Sequence, residues 1–270
     1  MRAYQLGDGT PEVAVVGGIN GDEPCGARAV ERIVADDPPV ERPVRLIVAN
    51  EEALARDERY VDVDLNRSFG DDVSPEAHEY DLATDLADEL ADCTVLSLHS
   101  TQSHPDPFGI VNGLDGPVAE IAPQLSVQAV VDVDDDDEGR LFALEATDLI
   151  EVEAGRQGTD TAAENAYRLA REFLTATEVL PGPTASRNVP VYRLDDRIEK
   201  PRAERYEVLA ENFVRVDAGE PFAAADGERL VAEHPFVPVL LSARGYEEIF
   251  GYASDHVGVL EADTADAGAD

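Results

Sequence analysis

A run of β-branched residues, VAVVGG at 13–18, breaks into the polar turn INGDEP. Apolar Ala27, Val30, Ile33 and Val34 then recur at helical spacing. A buried strand feeding a helix through a short turn is half of a βαβ unit, which commits the chain to a sheet covered by helices. The pattern repeats. VRLIVAN (44–50), TVLSLHS (94–100), FGIV (108–111), VQAVVDV (127–133) and DLIEVEAG (148–155) read as strands. Ser74-Pro75 opens a predicted helix to about Asp92, with Leu82, Leu86 and Leu90 on one face, and a second runs from Thr159 or Asp160 to about Thr175. From PGPTASRNVP (181–190) onward the texture changes to short β-like pieces, VPVYRL, ENFVRV, ERLVAE, FVPVLLS and GYEEIFGYAS, divided by Gly, Pro and Asp. The expected fold is α/β: a mostly parallel sheet with helices on both faces over residues 1–180, and a smaller β-rich domain over 181–270.

The charge narrows the partners. The 270 residues carry 58 acidic and 21 basic side chains, a formal net charge of −37. Such a field repels phosphates, so nucleic acid and anionic membranes are excluded as partners. The excess is spread along the chain, with runs such as Asp134 to Asp137 placed in loops, and it reads as a solvated surface suited to high salt. Lys200 is the one lysine, so arginine supplies nearly all positive charge. An arginine in a cleft is then a candidate carboxylate clamp. Cys25 and Cys93 lie far apart beside apolar runs, as expected of free thiols in a reducing compartment. With no basic apolar leader and no run long enough to span a bilayer, a soluble cytoplasmic protein is expected. The tail EADTADAGAD reads as frayed.

Four polar clusters sit at predicted strand ends: Asn20-x-x-Glu23; YVDVDLNRSFG with Arg59, Asn66 and Arg67; His99 in LSLHSTQSH; and Glu153 in IEVEAG. In an open α/β sheet such ends share one edge, where chemistry is placed. A hydrolytic zinc site needs three protein ligands and an open position, and Glu23 and His99 are candidates for two of them. A carboxylate off the metal must take the proton of water, which suits Glu153. Arg67 is a candidate for a two-pronged substrate-carboxylate clamp, and Arg59 for polarising the scissile carbonyl. Plainer readings exist. Asn20 suits a tight turn, Glu23 the positive end of a helix, and the arginines suit ion pairs in an Asp-rich segment. Glu151, two residues before Glu153, shares its strand face, so either can be the base.

GGINGDEPCG, RYVDVDLNRSF, LHSTQS and IEVEAG, in this order and spacing, resemble the aspartoacylase and succinylglutamate desuccinylase family, relatives of the zinc carboxypeptidases. PFVPVLLSARGYEEIFGY resembles that family's C-terminal β domain. The resemblance implies a zinc-carboxypeptidase-like fold and one zinc ion held by Glu23, His99 and the residue at position 20. It places Asn66 and Arg67 on the substrate carboxylate, Arg59 on the carbonyl and Glu153 as general base. The implied reaction is hydrolysis of an N-acyl amino acid or similar small acyl amide, with the β domain leaning over the cleft and restricting it to small substrates. Tyr246 is a candidate for the substrate mouth.

Position 20 departs from that pattern: the family has histidine, and this chain has Asn20. An amide oxygen is a poorer zinc donor than imidazole nitrogen. Three outcomes stay open. Asn20 is a weak ligand, with the metal held loosely or replaced by a harder ion; His104 reaches in as the missing ligand; or the site is empty and the chain is a weakened or inactive relative that binds a small carboxylate through Asn66 and Arg67.

Overall fold

The computed structural model describes residues 1–70, 73–133, 141–144 and 148–262. Asp134–Asp137 and residues 263–270 of the acidic tail lie outside them. Among the described residues, thirteen strands and five α-helices follow in chain order. They are β1 (Arg2–Leu6), β2 (Val13–Gly17), α1 (Cys25–Asp36), β3 (Val44–Val48), α2 (Glu51–Arg56), α3 (His78–Leu90), β4 (Thr94–Thr101), β5 (Phe108–Val111), α4 (Gly116–Ile121), β6 (Val130–Asp132), β7 (Asp148–Arg156), α5 (Asp160–Ala176), β8 (Val189–Glu199), β9 (Tyr206–Val208), β10 (Pro221–Ala225), β11 (Glu228–Val231), β12 (Val237–Val239) and β13 (Ile249–Leu260).

One ten-stranded sheet has the order β1-β3-β2-β4-β7-β5-β6-β8-β13-β12. Its centre, β3-β2-β4-β7, is parallel, as are β5-β6 and β6-β8; the other four pairings are antiparallel. The sheet is therefore mixed, with the parallel part where the polar clusters end. The expected C-terminal β region divides between two sheets. Strands β8, β13 and β12 continue the main sheet, joined by parallel pairing of β8 with β6, while β9, β10 and β11 form a separate antiparallel sheet.

Alternation along the central strands sorts the core into two layers. Val13, Val15, Leu46, Leu96, Leu98, Ile150 and Val152 pack with α1 and α5 on one face. Ala14, Val16, Ile47, Val95 and Leu149 pack on the other against Ala83, Leu86 and Leu90 of α3. Strand and helix meet most closely at Gly17 and Gly26. A Cβ on Gly26 would lie 2.6 Å from the Leu98 oxygen, and one on Gly17 would lie 2.1 Å from the Gly26 carbonyl carbon. No larger residue permits this approach, which brings the start of α1 against the ends of β2 and β4.

Several local expectations shift. Helix α3 begins at His78, not Ser74, because Ser74–Ala77 folds as a turn and Asp62 Oδ2 accepts the His78 N–H at 2.9 Å. ENFVRV is not a strand: Phe213 takes a positive φ of 65°, and only Val216 bridges to Phe236. Strand β1 and helix α2 carry no strong apolar period and were not expected. Helix α2 is capped by Asn50, whose Oδ1 accepts the Ala53 N–H at 3.1 Å. Both cysteines are free and buried, as expected. No described helix is long and apolar enough to cross a membrane.

The loop bearing DLNR has little core of its own, and Glu79 organises it. Glu79 is fully buried in α3. Its carboxylate accepts the N–H groups of Val61, Asp62 and Val63 at 2.7, 3.0 and 3.2 Å, and the Asn50 amide at 3.0 Å. Burial alone would raise its pKa, but these bonds together hold it below the usual carboxylate range. Glu79→Gln is expected to cost about 2 kcal/mol, since charge-assisted bonds weaken and one oxygen becomes a donor facing donors. A depressed folded pKa gives stability that is present above the unfolded carboxyl value and lost as pH falls through the folded one. Denaturant melts of wild type and variant should therefore converge in acid; a gap constant down to low pH would refute this role.

Candidate active site

Strands β4 and β7 pair in parallel with Ser97 opposite Glu151 and His99 opposite Glu153. A period of two puts all four side chains on one face. The β2–α1 turn adds Asn20, Asp22 and Glu23 from beside β4, and the loop from Arg59 to Arg67 adds Arg59, Asn66 and Arg67. Apart from Ser97, these residues, together with Ser242, Arg244 and Tyr246 from the C-terminal region, line a cleft of about 300 Å³. All seven site residues expected from the sequence, Asn20, Glu23, Arg59, Asn66, Arg67, His99 and Glu153, therefore line one cavity.

Glu23 is the hub. Its Oε1 accepts Arg59 Nη1 at 3.0 Å, and its Oε2 accepts the Ser100 N–H at 3.1 Å and lies 3.3 Å from His99 Nδ1. Burial alone would raise the carboxyl pKa; the His99 bond, the His99 and Arg59 charges and the Ser100 N–H lower it overall. His99 is buried, with Nε2 2.9 Å from Ser97 Oγ and 3.9 Å from Glu151 Oε1. Burial works against the imidazolium, but the Glu23 bond and the charges of Glu151, Glu23 and Glu153 raise its pKa to about 9. Glu153 is the reverse case. Desolvation, then the Glu23 charge, push it up to about 8, and its Oε2 is out of solvent with no hydrogen-bond partner among the described residues.

Asp64 orders the other wall, a role the sequence reading did not assign. Its Oδ1 accepts Asn20 Nδ2 and the Asn66 N–H, each at 3.0 Å, and its Oδ2 accepts Arg59 Nε at 3.0 Å. A carboxylate only accepts, so the Asn20 amide turns its nitrogen to Asp64 and its oxygen away. That oxygen is buried and without a partner among the described residues. Asn66 is also engaged by the protein: its Oδ1 accepts the Leu141 N–H at 3.1 Å, and its Nδ2 donates to Glu151 Oε1 at 3.4 Å. Arg67 donates to the Asn66 carbonyl at 2.6 Å. His104 is turned elsewhere, edge-on to Phe213 at 5.4 Å between ring centres, and it lines a neighbouring cavity. The period-two spacing of Glu151 and Glu153 was a legible signal. The alternating acids of DVDL were the available sign of Asp64.

The donors can be tested against a metal. Among the described residues, no group of three or more His, Cys, Asp or Glu side chains is placed to hold one. Glu23 Oε2 and His99 Nδ1, 3.3 Å apart, offer a carboxylate oxygen and an imidazole nitrogen. The unpartnered Asn20 oxygen is the third donor that fits. One nitrogen and two oxygens suit a divalent ion, though less well than the two nitrogens and one oxygen common at catalytic zinc.

Asp64→Asn tests the wall. It breaks the Arg59 pair and frees the Asn20 amide to turn, and a loss of at least about 2 kcal/mol is expected in urea melts. A melt like that of wild type would mean the three bonds to Asp64 are dispensable.

A catalytic-domain profile described as "Succinylglutamate desuccinylase/Aspartoacylase catalytic domain" matches residues 9–177. No curated protein sequence matches the chain. Among solved structures, a succinylglutamate desuccinylase/aspartoacylase from Rhodobacter sphaeroides superposes with a TM-score of 0.78 at 15% identity, covering 95% of this chain and 89% of that one. Murine aminoacylase 3 gives 0.73 at 21% identity, covering 95% and 99%. A succinylglutamate desuccinylase from Vibrio parahaemolyticus gives 0.70 at 18%, covering 95% and 86%. With a matched profile over more than half its length and the same fold throughout, this chain belongs to the succinylglutamate desuccinylase/aspartoacylase family.

Proposed function

We propose that the chain is a metal-dependent amidohydrolase that cleaves an N-acyl amino acid or similar small acyl amide. The observation that carries this reading is Glu153: a carboxylate with its pKa pushed up to about 8 and an oxygen without a hydrogen-bond partner among the described residues, beside Glu23 and His99. A group poised near neutral pH and lining the cleft suits proton transfer. Family and fold, which are those of deacylase-type hydrolases, support it.

Glu23, His99 and the Asn20 oxygen would hold the ion, with zinc the expected one. When bound, it would supply a Lewis acid for the carbonyl oxygen and lower the pKa of a water. Glu153 takes the proton as the water oxygen adds to the amide carbon. It returns that proton to the nitrogen as the C–N bond breaks, leaving a carboxylic acid and an amine. Arg59, fixed through Nε and Nη1, keeps Nη2 for the developing oxyanion. Arg67 orients the substrate carboxylate. Tyr246, a cleft residue, closes the mouth from the C-terminal side.

One observation favours a second reading. Glu23 is already satisfied by Arg59, Ser100 and His99, so the site balances its charges through its own side chains. That suits a relative that binds a small carboxylate without turning it over.

Elemental analysis of protein purified without chelators separates the two: about one zinc per chain is expected for the hydrolase, and no uptake on titration for the binder. Asn20→His is expected to raise zinc affinity by about tenfold or more in competition titrations, because imidazole replaces an amide oxygen. An unchanged affinity would place position 20 outside the coordination shell. Glu153→Gln is expected to lower kcat by about 10²–10⁴ with zinc content retained. Activity near that of wild type would remove Glu153 as the base.

A further inference from the structure

A separate cavity, of about 500 Å³, shares no lining residue with the catalytic cleft. Its size lies in the range of small-molecule sites. Helix α5 gives it one wall and the connector to β8, residues 183–187, gives it another, with Arg32 of α1 and Gln124 completing the lining. The α5 residues recur three and four apart between Glu164 and Thr175, so they present one helix face to it. Both walls are tied down. Asn165 Nδ2 donates to the Ala154 carbonyl of β7 at 2.9 Å, Glu172 accepts the Ser126 N–H at 2.7 Å, and the Arg187 N–H donates to the Pro123 carbonyl at 3.0 Å.

The charge around this cavity runs against the rest of the chain. Arg32, Arg168, Arg171 and Arg187 line it with two carboxylates, Glu164 and Glu172, although acidic side chains outnumber basic ones 58 to 21 overall. The carboxylates are in use. Both Glu164 oxygens accept Arg32 Nη1 at 3.0 Å, and Glu172 Oε1 accepts Arg168 Nη1 at 3.3 Å and Ser126 Oγ at 2.8 Å. Arg32 also lies over the Tyr167 ring at 3.8 Å, and Arg168 Nη2 donates to Asn165 Oδ1 at 3.0 Å. Two cations are left over. The Arg171 guanidinium approaches the Tyr167 ring at 5.8 Å and has no hydrogen bond or ion pair among the described residues. The Arg187 guanidinium has no partner of any kind among them. Guanidinium forks without counter-ions, beside one cavity of so acidic a chain, are prepared for an anion. The surrounding surface repels an extended polyanion, whereas the cavity admits a small one.

We infer that this cavity is a second ligand site, for a small molecule with at least two negative charges, phosphate or carboxylate, paired with Arg171 and Arg187. Pro183 and Ala185 offer apolar surface to the carbon body of the ligand, and Thr184 offers a hydroxyl. Because the cavity and the catalytic cleft have no residue in common, the site stands independently of the amidohydrolase reading.

The test is calorimetric titration of the full chain with two probes, sodium pyrophosphate and sodium citrate, at an ionic strength of about 0.1 M, where charges still attract across about 10 Å. Saturable binding of at least one probe is expected. Pyrophosphate alone marks a phosphate ligand, citrate alone a carboxylate one, and both mark a site that reads only the charge. Arg171→Ala and Arg187→Ala are each expected to raise the dissociation constant about tenfold, the effect of one charge-assisted contact, and Arg187→Lys to keep part of the affinity. The Arg187 guanidinium holds nothing else among the described residues, so its removal leaves the fold intact and the result readable. Arg67→Ala, in the catalytic cleft, should leave the binding unchanged. No binding of either probe, binding that survives both alanine variants, or binding that only Arg67→Ala removes overturns the inference.

Discussion

The parallel pairing of β4 with β7 is the constraint on which the site depends. Its register sets His99 against Glu153 and Ser97 against Glu151, so one imidazole and two carboxylates share a strand face at adjacent positions. Bringing such groups together out of water is costly unless they pair. The arrangement succeeds because Glu23 enters from the β2–α1 turn with Arg59 on its far side, and because Ser97 and Asn66 take up hydrogen bonds beneath. The Gly17–Gly26 contact belongs to the same arrangement. By letting α1 rest on the ends of β2 and β4, it puts the turn carrying Glu23 within reach of His99.

The loop before α3 is anchored by Leu65 in the core and organised by carboxylates. Glu79 gathers three successive backbone N–H groups, and Asp64 gathers Arg59, Asn20 and the Asn66 backbone. Each carboxylate is acceptor-only and ionised, so each imposes a direction on its donors. Asp64 thereby decides which end of the Asn20 amide faces the cleft. Asn20, where the resemblance implies histidine, sits in a bonding frame that turns its oxygen away from Asp64.

Much of the site was legible because its residues lie at strand ends and in period-two pairs. Those positions follow from local sequence: TVLSLHS and DLIEVEAG are continuous apolar strands with polar ends, and parallel strands align such ends. What escaped depended on tertiary choices. Nothing local to VPVYRL says that it will join β6 and extend the main sheet. Phe213 looks like a strand residue, yet it turns to positive φ and joins the rings of Phe108, Tyr192 and His104. Asp64 is one acid among many in an acidic chain, and its importance appears only once Asn20 and Arg59 are beside it.

The chain's single lysine is not on an idle surface. Lys200 holds the carbonyls of Ala243 and Tyr246, and so supports the segment that forms the rim of the cleft. Amine-directed chemistry, such as acylation, crosslinking or attachment to a resin, has one side-chain target in this molecule, and reaction there removes the charge and donors that hold the rim. For most proteins, decorating a few lysines leaves the working parts alone. Here the same treatment is a modification of the entrance to the cleft.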